Sequence, residues 1–278
     1  CYKGNEAYLS EYENFSLIEQ NICFPLKSMN YKFDLIFHLA CPASPPKYQK
    51  DPIATAKTCF TGTLNIAELA LLHKARLIFT STSEIYGDPK VHHQVESYRG
   101  NVNPNGIRSC YDEGKRIAET LLYDFHRQHG LDLRVARIFN TYGPHMDPSD
   151  GRVVTNLILQ ALRKDKLSIY GDGTQTRSFC FVDDMVDGLI KLSQSSSDCL
   201  WPINLGNPTE RTILDLAHNV KKLLPDAKEL KFLKLPQDDP IKRCPDISRA
   251  QKFLLWQPRV SLQDGLSKMI LFMRDIIT

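Results

Sequence analysis

The chain has 278 residues, of which 42% are hydrophobic and 24% charged, with a formal net charge of +3. These values are typical of a soluble globular protein with one large domain, with or without a smaller lobe. The basic residues are scattered, which argues against nucleic-acid binding, and no apolar run approaches the ~18 residues that a membrane helix needs.

Eight cysteines are spread over the whole chain. No CxxC pair occurs and His92 and His93 have no cysteine nearby, so the sequence does not indicate a zinc site or any other metal site. The wide spacing is typical of reduced thiols rather than of a disulfide framework. Because residue 1 is Cys and not Met, we expect a processed form or a fragment without its targeting segment.

The first half of the chain alternates between apolar runs and helical patterns. Residues 15–19 alternate like a short strand, and residues 34–40 form a nearly continuous apolar run, as expected of a buried parallel strand. The prolines of residues 41–46 predict a loop, because proline lacks a backbone N–H and fixes φ. The following elements are predicted beyond that loop: a helix over 55–73, a strand over 76–81, a helix over about 110–129 with Gly130 as its C-cap, and a strand over 133–138.

This order of strands and helices predicts βαβ units, and therefore an α/β fold with a doubly wound, Rossmann-like parallel sheet. In such sheets, ligands bind at the carboxyl ends of the strands. Polar loops follow residues 40, 81 and 138. We expect these loops to lie together at one edge of the sheet.

Tyr111 and Lys115 are the candidate catalytic pair. They stand four residues apart in a predicted helix, so they share one helix face. A nearby cation favours a phenolate and lowers a tyrosine pKa from about 10, which would make Tyr111 a base for a hydroxyl proton. The pair alone is a weak signal, but the predicted strand ends beside it favour a functional site.

The second half alternates less regularly. Helices are predicted at 151–164, 183–194, 212–224, 248–255 and 261–276, and strands at 168–170, 178–182, 203–205 and 230–233. We interpret residues 1–144 as a dinucleotide-binding domain and residues 145–278 mainly as a smaller α/β substrate lobe, with some segments returning to the main domain. Arg152, Arg177 and Arg243 suit phosphate binding, although for each arginine alone a surface salt bridge is the simpler interpretation.

One expected feature is missing from the sequence. A dinucleotide-binding fold of this kind opens with a strand and a glycine-rich turn, which lets the backbone approach the pyrophosphate. Gly4 is isolated, and no GxGxxG motif follows residues 15–19. We therefore expect a truncated first βαβ unit. The same absence leaves open a catalytically inactive homologue that binds nucleotide sugars or pairs with an active partner.

Several long motifs occur together in one order. They are HLACPASPP at 38–46, TSTSEIYGDP at 80–89, NVNPNGIRSCYDEGKR at 101–116, ARIFNTYGP at 136–144, GTQTRSF at 173–179 and DDPIKRCPDI at 238–247. On these motifs the chain resembles the extended short-chain dehydrogenases that act on nucleotide sugars, and among them the UDP-glucuronate decarboxylases, or UDP-xylose synthases, of animals. The resemblance runs from about residue 13 to the end.

The resemblance implies NAD as the cofactor, UDP-glucuronate as the substrate and UDP-xylose as the product. In that reaction C4 is oxidised by hydride transfer to NAD, the 4-keto acid loses carbon dioxide, and C4 is reduced again. Tyr111, held by Lys115, would take the hydroxyl proton, and Thr82 would bind the same oxygen. Glu84 would act near the carboxylate and C5, and Arg243 in the decarboxylation step.

The resemblance also implies binding residues. The cofactor positions are Asn21, Ile22, Leu39, Ala40, Thr58, Thr80, Tyr111 and Lys115. The substrate positions are Ser44, Glu84, Asn140, Arg152, Tyr170, Gln175, Arg177 and Arg243. Asn21 stands where the family usually has an aspartate, and Cys59 where it usually has an asparagine. For Tyr170, an ordinary core tyrosine is an equally good interpretation.

The residues after Thr82 bear on sister activities. Related 4,6-dehydratases carry an Asp-Glu pair there, and simple 4-epimerases carry small uncharged residues, whereas this chain has Ser83 and Glu84. Both alternatives are therefore disfavoured.

The resemblance further implies a homodimer through the helices at 55–73 and 110–129, and a Golgi lumen location behind an N-terminal anchor that this sequence does not contain. Packing within one subunit and a cytoplasmic location are the alternatives.

Overall fold

The computed structural model describes residues 6–26, 31–197, 199–237 and 239–277. In chain order its strands are Leu35–His38 (β1), Arg76–Thr82 (β2), Leu133–Ile138 (β3), Thr141–Tyr142 (β4), Leu167–Tyr170 (β5), Thr176–Ser178 (β6), Cys180–Phe181 (β7), Ile203–Leu205 (β8), Glu210–Thr212 (β9) and Leu230–Leu233 (β10). Its helices are Glu6–Leu9 (α1), Pro45–Tyr48 (α2), Pro52–Lys57 (α3), Thr63–His73 (α4), Ser109–His129 (α5), Val153–Leu162 (α6), Val182–Ser193 (α7), Ile213–Leu223 (α8), Ser248–Leu254 (α9) and Leu262–Ile277 (α10).

A four-stranded parallel sheet in the order β1-β2-β3-β8 forms the centre of the molecule. Alternate residues of β2 point to opposite faces. Leu77 and Phe79 pack against the layer that contains α4 and α5, whereas Ile78 packs against the layer that contains α7 and α9. Helices therefore cover both faces, and the predicted doubly wound α/β sheet is confirmed.

The outer strand β1 is less protected than its apolar sequence predicts. Leu35 and Phe37 are 41% and 37% exposed, although a strand of a doubly wound sheet is normally buried on both faces. Among the described residues, no strand pairs with the outer edge of β1. The prediction of a strand is confirmed here, but the prediction that it is buried is wrong for the side chains at this edge.

The long helix α5 is held firmly on the sheet. It ends at His129, and Gly130 follows with φ of 69°, so the predicted C-cap in the left-handed region is confirmed. Near its middle, Glu119 accepts hydrogen bonds from Arg137 Nε at 3.0 Å and Nη2 at 2.8 Å. Glu119 also accepts one from Ser81, so α5 is joined to both β2 and β3.

The second half of the chain adds its own core. Helices α6, α8 and α10 pack with β5 around buried residues such as Leu157, Leu216 and Met269. Strand β5 pairs in parallel with β10, and β6 pairs antiparallel with β9. Strand β8 joins the main sheet beside β3, as expected for a segment that returns to it. The division at residues 144 and 145 stays a prediction.

Some local predictions are wrong. Residues 15–19 form no strand, because no neighbouring strand supplies hydrogen bonds to them. The expected loop at 41–46 ends in the short helix α2, where two prolines occupy the first turn and their missing N–H groups cost nothing. The helix predicted at 55–73 begins at residue 52 and contains a π-helical segment, Thr58–Gly62. Gly4 lies outside the described residues.

The boundaries of the other predicted elements agree with the structure to within a few residues. Within the described ranges, no helix is both long and apolar enough to cross a lipid bilayer.

Candidate active site

A cavity of about 680 Å³, here called the main cavity, opens at the carboxyl edge of the sheet. It is lined by Leu39 and Cys41 after β1, Thr82 and Glu84 at the end of β2, and residues 138–142 after β3. Helix α5 and the second half of the chain close its other sides. The prediction that the three polar loops lie together at one edge is therefore confirmed.

Tyr111 lies in the first turn of α5 and lines this cavity. Its ring stacks on that of Tyr48, with centroids 5.0 Å apart and planes inclined by 2°. Burial raises the pKa of Tyr111 well above its usual value, and a hydrogen bond with Thr82 and the charge of Arg152 lower it by less. Tyr111 therefore carries its proton at neutral pH in this structure.

Lys115 shares a face of α5 with Tyr111, but its ammonium group contacts β2. Its Nζ donates a hydrogen bond to the Thr80 carbonyl oxygen at 2.8 Å and lies 4.7 Å from the centroid of the Phe79 ring. The expectation that Lys115 lowers the pKa of Tyr111 is wrong for this structure, because burial of the phenol dominates. Lys115 instead ties the start of α5 to the end of β2.

Glu84 is the centre of a cluster of charges. Its carboxylate accepts a hydrogen bond from Arg108 Nη2 at 2.7 Å and lies 3.4 Å from Arg243 Nη2. Burial raises the pKa of Glu84, but Arg243, Arg108 and Arg177 together lower it to about 2. Asp239 pairs with Arg108 at 3.2 Å and Arg177 at 2.8 Å. Three arginines thus face two carboxylates, which leaves the cluster positive.

The local backbone explains how Glu84 reaches the cavity. Strand β2 ends at Thr82, whose Oγ1 accepts a hydrogen bond from the Glu84 backbone N–H at 3.2 Å. This N-cap begins a 3-10 turn over Ser83–Tyr86. Strand geometry, from which we expected Thr82 and Glu84 to share a face, does not persist past Thr82. The capped turn brings Glu84 into the cavity instead.

The substrate side of the cavity contains most of the residues that the resemblance implies. Asn140, Arg152, Tyr170, Gln175 and Arg177 all line it. Tyr170 is 41% exposed, so the interpretation as a core tyrosine is wrong. Arg152 donates a hydrogen bond to the Ala43 carbonyl oxygen at 2.8 Å, and Gln175 donates one to the Tyr170 carbonyl oxygen at 2.6 Å.

Arg243 and Ser44 are implied substrate residues that do not line the main cavity. Arg243 is 1% exposed and reaches the cavity through Glu84, while it also donates a hydrogen bond to the Gly87 carbonyl oxygen at 2.9 Å. Its Nε and Nη1 have no hydrogen-bond partner in the described structure. The buried hydroxyl of Ser44 is also unpartnered. Both side chains therefore have unused donors close to the site.

The implied cofactor residues divide into two groups. Leu39 and Thr80 line the main cavity beside Tyr111 and Lys115, and Ala40 lies in the same loop as Leu39. Three others lie apart from the cavity, on or near the helical segment from α3 to α4. They are Asn21, Ile22 and Thr58.

The polar groups around Tyr111 and Lys115 fit the reactive end of a dinucleotide, because a hydroxyl, an ammonium and backbone oxygens meet in one cavity there. The sequence contains no glycine-rich turn for the pyrophosphate. Across the described residues, no group of three or more His, Cys, Asp or Glu side chains is arranged to hold a metal ion.

Sequence reasoning missed several residues of the site. Arg108 belongs to the Tyr111 motif but was given no role. Tyr48 ends helix α2, and Asp239 lies between β10 and α9, so both are distant from that motif in sequence. Asp112, next to Tyr111, is buried, and its pKa is raised to about 8, mainly by burial and then by Glu84. Position in the motif is the signal that would have identified Arg108 and Asp112. The same signal applies to Asp239, which lies in the DDPIKRCPDI motif at 238–247, whereas no quoted motif includes Tyr48.

Comparison with known proteins identifies the class. Residues 7–206 match the model of the NAD dependent epimerase/dehydratase family, and the chain belongs to that family. Among solved structures, the chain is similar to UDP-glucuronic acid 4-epimerase from Bacillus cereus in complex with UDP-glucuronic acid and NAD, with 27% identity and a TM-score of 0.86 over 99% of this chain and 86% of that one. UDP-glucose 4-epimerase from Thermotoga maritima gives 29% identity and a TM-score of 0.82 over 88% and 78%.

Sequence relatives narrow the class further. UDP-glucuronic acid decarboxylase 3 of Arabidopsis thaliana is 54% identical over 255 residues, which are 92% of this chain and 73% of that protein. UDP-glucuronic acid decarboxylase 1 of Xenopus tropicalis is 50% identical over 272 residues, or 98% and 63%. The resemblance to the UDP-glucuronate decarboxylases is therefore confirmed.

Proposed function

We propose that this chain decarboxylates UDP-glucuronate to UDP-xylose with NAD as a cofactor that is regenerated in each cycle. One observation supports this most directly. Tyr111, Thr82 and Glu84 meet in one cavity beside a cluster of arginines with excess positive charge. A proton-transfer group and a site for an anionic sugar are both needed for such a reaction, and they are adjacent here.

Tyr111 moves the proton of the C4 hydroxyl in this proposal. When bound, NAD supplies a hydride acceptor and a positive charge. The hydrogen bond with Thr82 and the charge of Arg152 both lower the pKa of the Tyr111 phenol, which favours its ionisation. Lys115 anchors the helix that carries Tyr111 through its bond to the Thr80 carbonyl oxygen. Because the phenol is neutral at rest, Tyr111 first releases its own proton to water; the phenolate then takes the C4 hydroxyl proton and returns it when C4 is reduced again.

The arginine cluster orients the acidic substrate. Arg108, Arg177 and Arg243 hold Glu84 ionised at neutral pH, and the cluster keeps one positive charge in excess of its two carboxylates. Such a site attracts the sugar carboxylate and the diphosphate of a nucleotide sugar. Glu84 provides a fixed carboxylate next to this positive charge, suited to accepting a hydrogen bond from water beside the carbon that loses carbon dioxide.

The test is direct. Incubation of the chain with UDP-glucuronate and NAD should release carbon dioxide and yield UDP-xylose, measured by trapped label and by chromatography. Tyr111→Phe should abolish turnover while leaving UDP binding intact. Tyr98→Phe is the matched control, since Tyr98 lies outside the main cavity and stacks on Tyr86. Absence of both products from the native chain would refute the proposal.

The same assay distinguishes the alternatives. A 4-epimerase would convert UDP-glucuronate to its C4 epimer without carbon dioxide, and a 4,6-dehydratase would show no turnover of this acid substrate. An inactive homologue would bind UDP by calorimetry and produce nothing, even with NAD in excess.

We also propose that two copies associate through the helical face formed by α3, α4 and α5. Ile53 on α3, Phe60 in the π-helical segment and Leu72 on α4 are exposed apolar residues, and Ile117 is exposed on α5. Light scattering should give a dimer. Phe60→Glu should yield monomers, whereas Phe253→Glu, an exposed phenylalanine on α9, should leave the dimer intact. A native monomer at all concentrations would exclude this interface.

We propose, from the resemblance, that the protein resides in the Golgi lumen, with the cytoplasm as the alternative. Asn14 is exposed and begins the sequon Asn-Phe-Ser, which is a glycosylation acceptor only in a secretory compartment. Protein expressed from the complete coding sequence should lose apparent mass on treatment with an N-glycosidase. The Asn14→Gln variant should not respond. A cytoplasmic fraction with no glycan would contradict the proposal.

A further inference from the structure

One thiol lines the main cavity, and two more lie next to residues that line it. Cys41 follows β1 and lines the cavity, Cys59 lies in the π-helical segment, and Cys110 lies in the first turn of α5. All three are free. The Sγ atoms of Cys41 and Cys59 are 3.3 Å apart, although the two residues are separated by 18 positions. This close approach is a product of the fold, and the proposed reaction makes no use of it.

The geometry suits a covalent link. A disulfide bond holds its sulfurs at about 2 Å, so the two Sγ atoms need to approach by only about 1 Å more. Cys41 is half-buried and reachable from the cavity, while Cys59 is 2% exposed. One thiol is therefore accessible to a small reagent and the other is held directly behind it. This is the arrangement of an attacking thiol with a resolving thiol.

The surroundings favour Cys41 as the attacking group. A hydrogen bond from Cys59 lowers the pKa of Cys41, and the charge of Lys115 lowers it further, although burial opposes both. The pKa of Cys59 is raised, first by its hydrogen bond with Cys41 and then by burial. Since the thiolate is the nucleophile, Cys41 reacts first. The thiol of Cys110 donates a hydrogen bond to the Tyr48 carbonyl oxygen instead.

We propose that Cys41 and Cys59 form a reversible oxidation site, which low-molecular-weight disulfides such as oxidised glutathione convert into a disulfide that closes the Lys115 side of the main cavity. The Cys41 thiolate attacks one sulfur of the reagent, and one glutathione thiolate leaves. The Cys59 proton passes to that thiolate, and the Cys59 sulfur then attacks the Cys41 sulfur. The second glutathione leaves, so two protein thiols are oxidised and one disulfide reagent is reduced.

The packing around Cys59 explains why the link would alter the site. A Cβ atom placed at Gly114 would lie 3.0 Å from both Cβ and Sγ of Cys59, so the helices carrying these residues touch at this point. Gly114 immediately precedes Lys115. Displacement of the Cys59 sulfur towards Cys41 removes this contact and tethers the loop after β1 to the π-helical segment. The mixed disulfide formed first also places a tripeptide inside the cavity.

The experiment uses the whole chain with oxidised glutathione and needs no catalytic assay. After treatment, alkylation and proteolysis, mass spectrometry should find a peptide pair joined through Cys41 and Cys59, with two thiols lost per chain and regained with dithiothreitol. Cys59→Ser should stop at one glutathione on Cys41. Cys41→Ser should leave Cys59 unmodified, because its buried thiol cannot meet the reagent.

Controls within the chain separate this site from general oxidation. Cys180, Cys199 and Cys244 are buried elsewhere and should stay reduced in the folded protein, while Cys23 reports on a half-buried thiol outside the pair. Circular dichroism of each variant checks that it is folded. The proposal is overturned if Cys59 stays free in folded, treated protein, or if Cys41 links to Cys110 or Cys23 instead. Its failure would leave the proposed decarboxylation unaffected.

Discussion

Replacing Glu84 by glutamine tests the electrostatic description of the cavity. Burial raises the pKa of this carboxyl, but Arg243, Arg108 and Arg177 lower it from an ordinary 4.5 to about 2. At about 1.4 kcal/mol for each pH unit between the two values, the arginines favour the folded, ionised state by about 3 kcal/mol. Glutamine keeps the shape of Glu84 and removes the charge, so E84Q should lose about that much stability at pH 7.

The sign of the pH dependence follows from the depressed pKa of Glu84. Its contribution is fully present above the unfolded pKa of 4.5 and is lost as the pH falls through the folded pKa of about 2. The difference between the native chain and E84Q should therefore shrink to about 1 kcal/mol at pH 3. At pH 7 it corresponds to a fall in Tm of about 6–12 °C for a chain of this size.

Urea unfolding at pH 7, 5 and 3, followed by circular dichroism, measures this difference. Glu113→Gln is the matched control on α5. Its carboxylate is exposed and pairs only with Arg116, at 3.3 Å, among the described residues, so its removal should change stability by less than ~0.5 kcal/mol. If E84Q matches the native chain at pH 7, or if its deficit is the same at pH 3, the arginines do not stabilise Glu84 in the way described.

Substitutions at three further positions test other features of the structure. Burial, the largest cause, raises the pKa of Asp112 to about 8, so the native chain loses stability as the pH rises from about 4 to 8. Asp112→Asn removes this loss and should raise Tm more at pH 8.5 than at pH 5. An equal change in Tm at both pH values would contradict this. Gly265→Ala places a Cβ 2.1 Å from the Tyr142 hydroxyl and should cost about 1–3 kcal/mol in urea unfolding, unlike Ser267→Ala on the same helix. Tyr48→Phe should not destabilise the chain, because its buried hydroxyl has no partner in the described structure, whereas Tyr48→Leu loses the stacked ring and should lower both Tm and turnover.

The fold could be predicted from the sequence wherever hydrophobic periodicity was unbroken. Strands β2 and β3 and helix α5 have long apolar patterns, and their boundaries agree with the structure to within one or two residues. Residues 15–19 show the limit of such patterns. Their alternation is local, whereas a strand exists only when a neighbour pairs with it, and no neighbour does so in the described structure.

The part of the site that could be predicted is the part that sheet topology brings to one edge. The strand-end rule predicted that the loops after residues 40, 81 and 138 meet, and helical spacing paired Tyr111 with Lys115. The role of Thr82 was implied by the resemblance. The contacts of Lys115 could not be predicted, since its nearest oxygen belongs to Thr80, 35 residues away in sequence. The stack of Tyr48 on Tyr111 and the thiol pair arise in the same way, from parts of the chain that share no local pattern.

The hydrogen-bonded cluster of Glu119, Arg137 and Ser81, here called the clamp, affects how the enzyme loses activity on heating. The clamp is buried and joins α5 to two central strands, so Tyr111 is placed by the same contacts that hold the core together. Breaking it leaves the buried charges of Glu119 and Arg137 without the ion pair that joins them, which makes partial loosening of α5 costly. Heat inactivation should therefore occur in the same temperature range as cooperative unfolding of the whole sheet. At lower temperatures the folded protein should keep its activity.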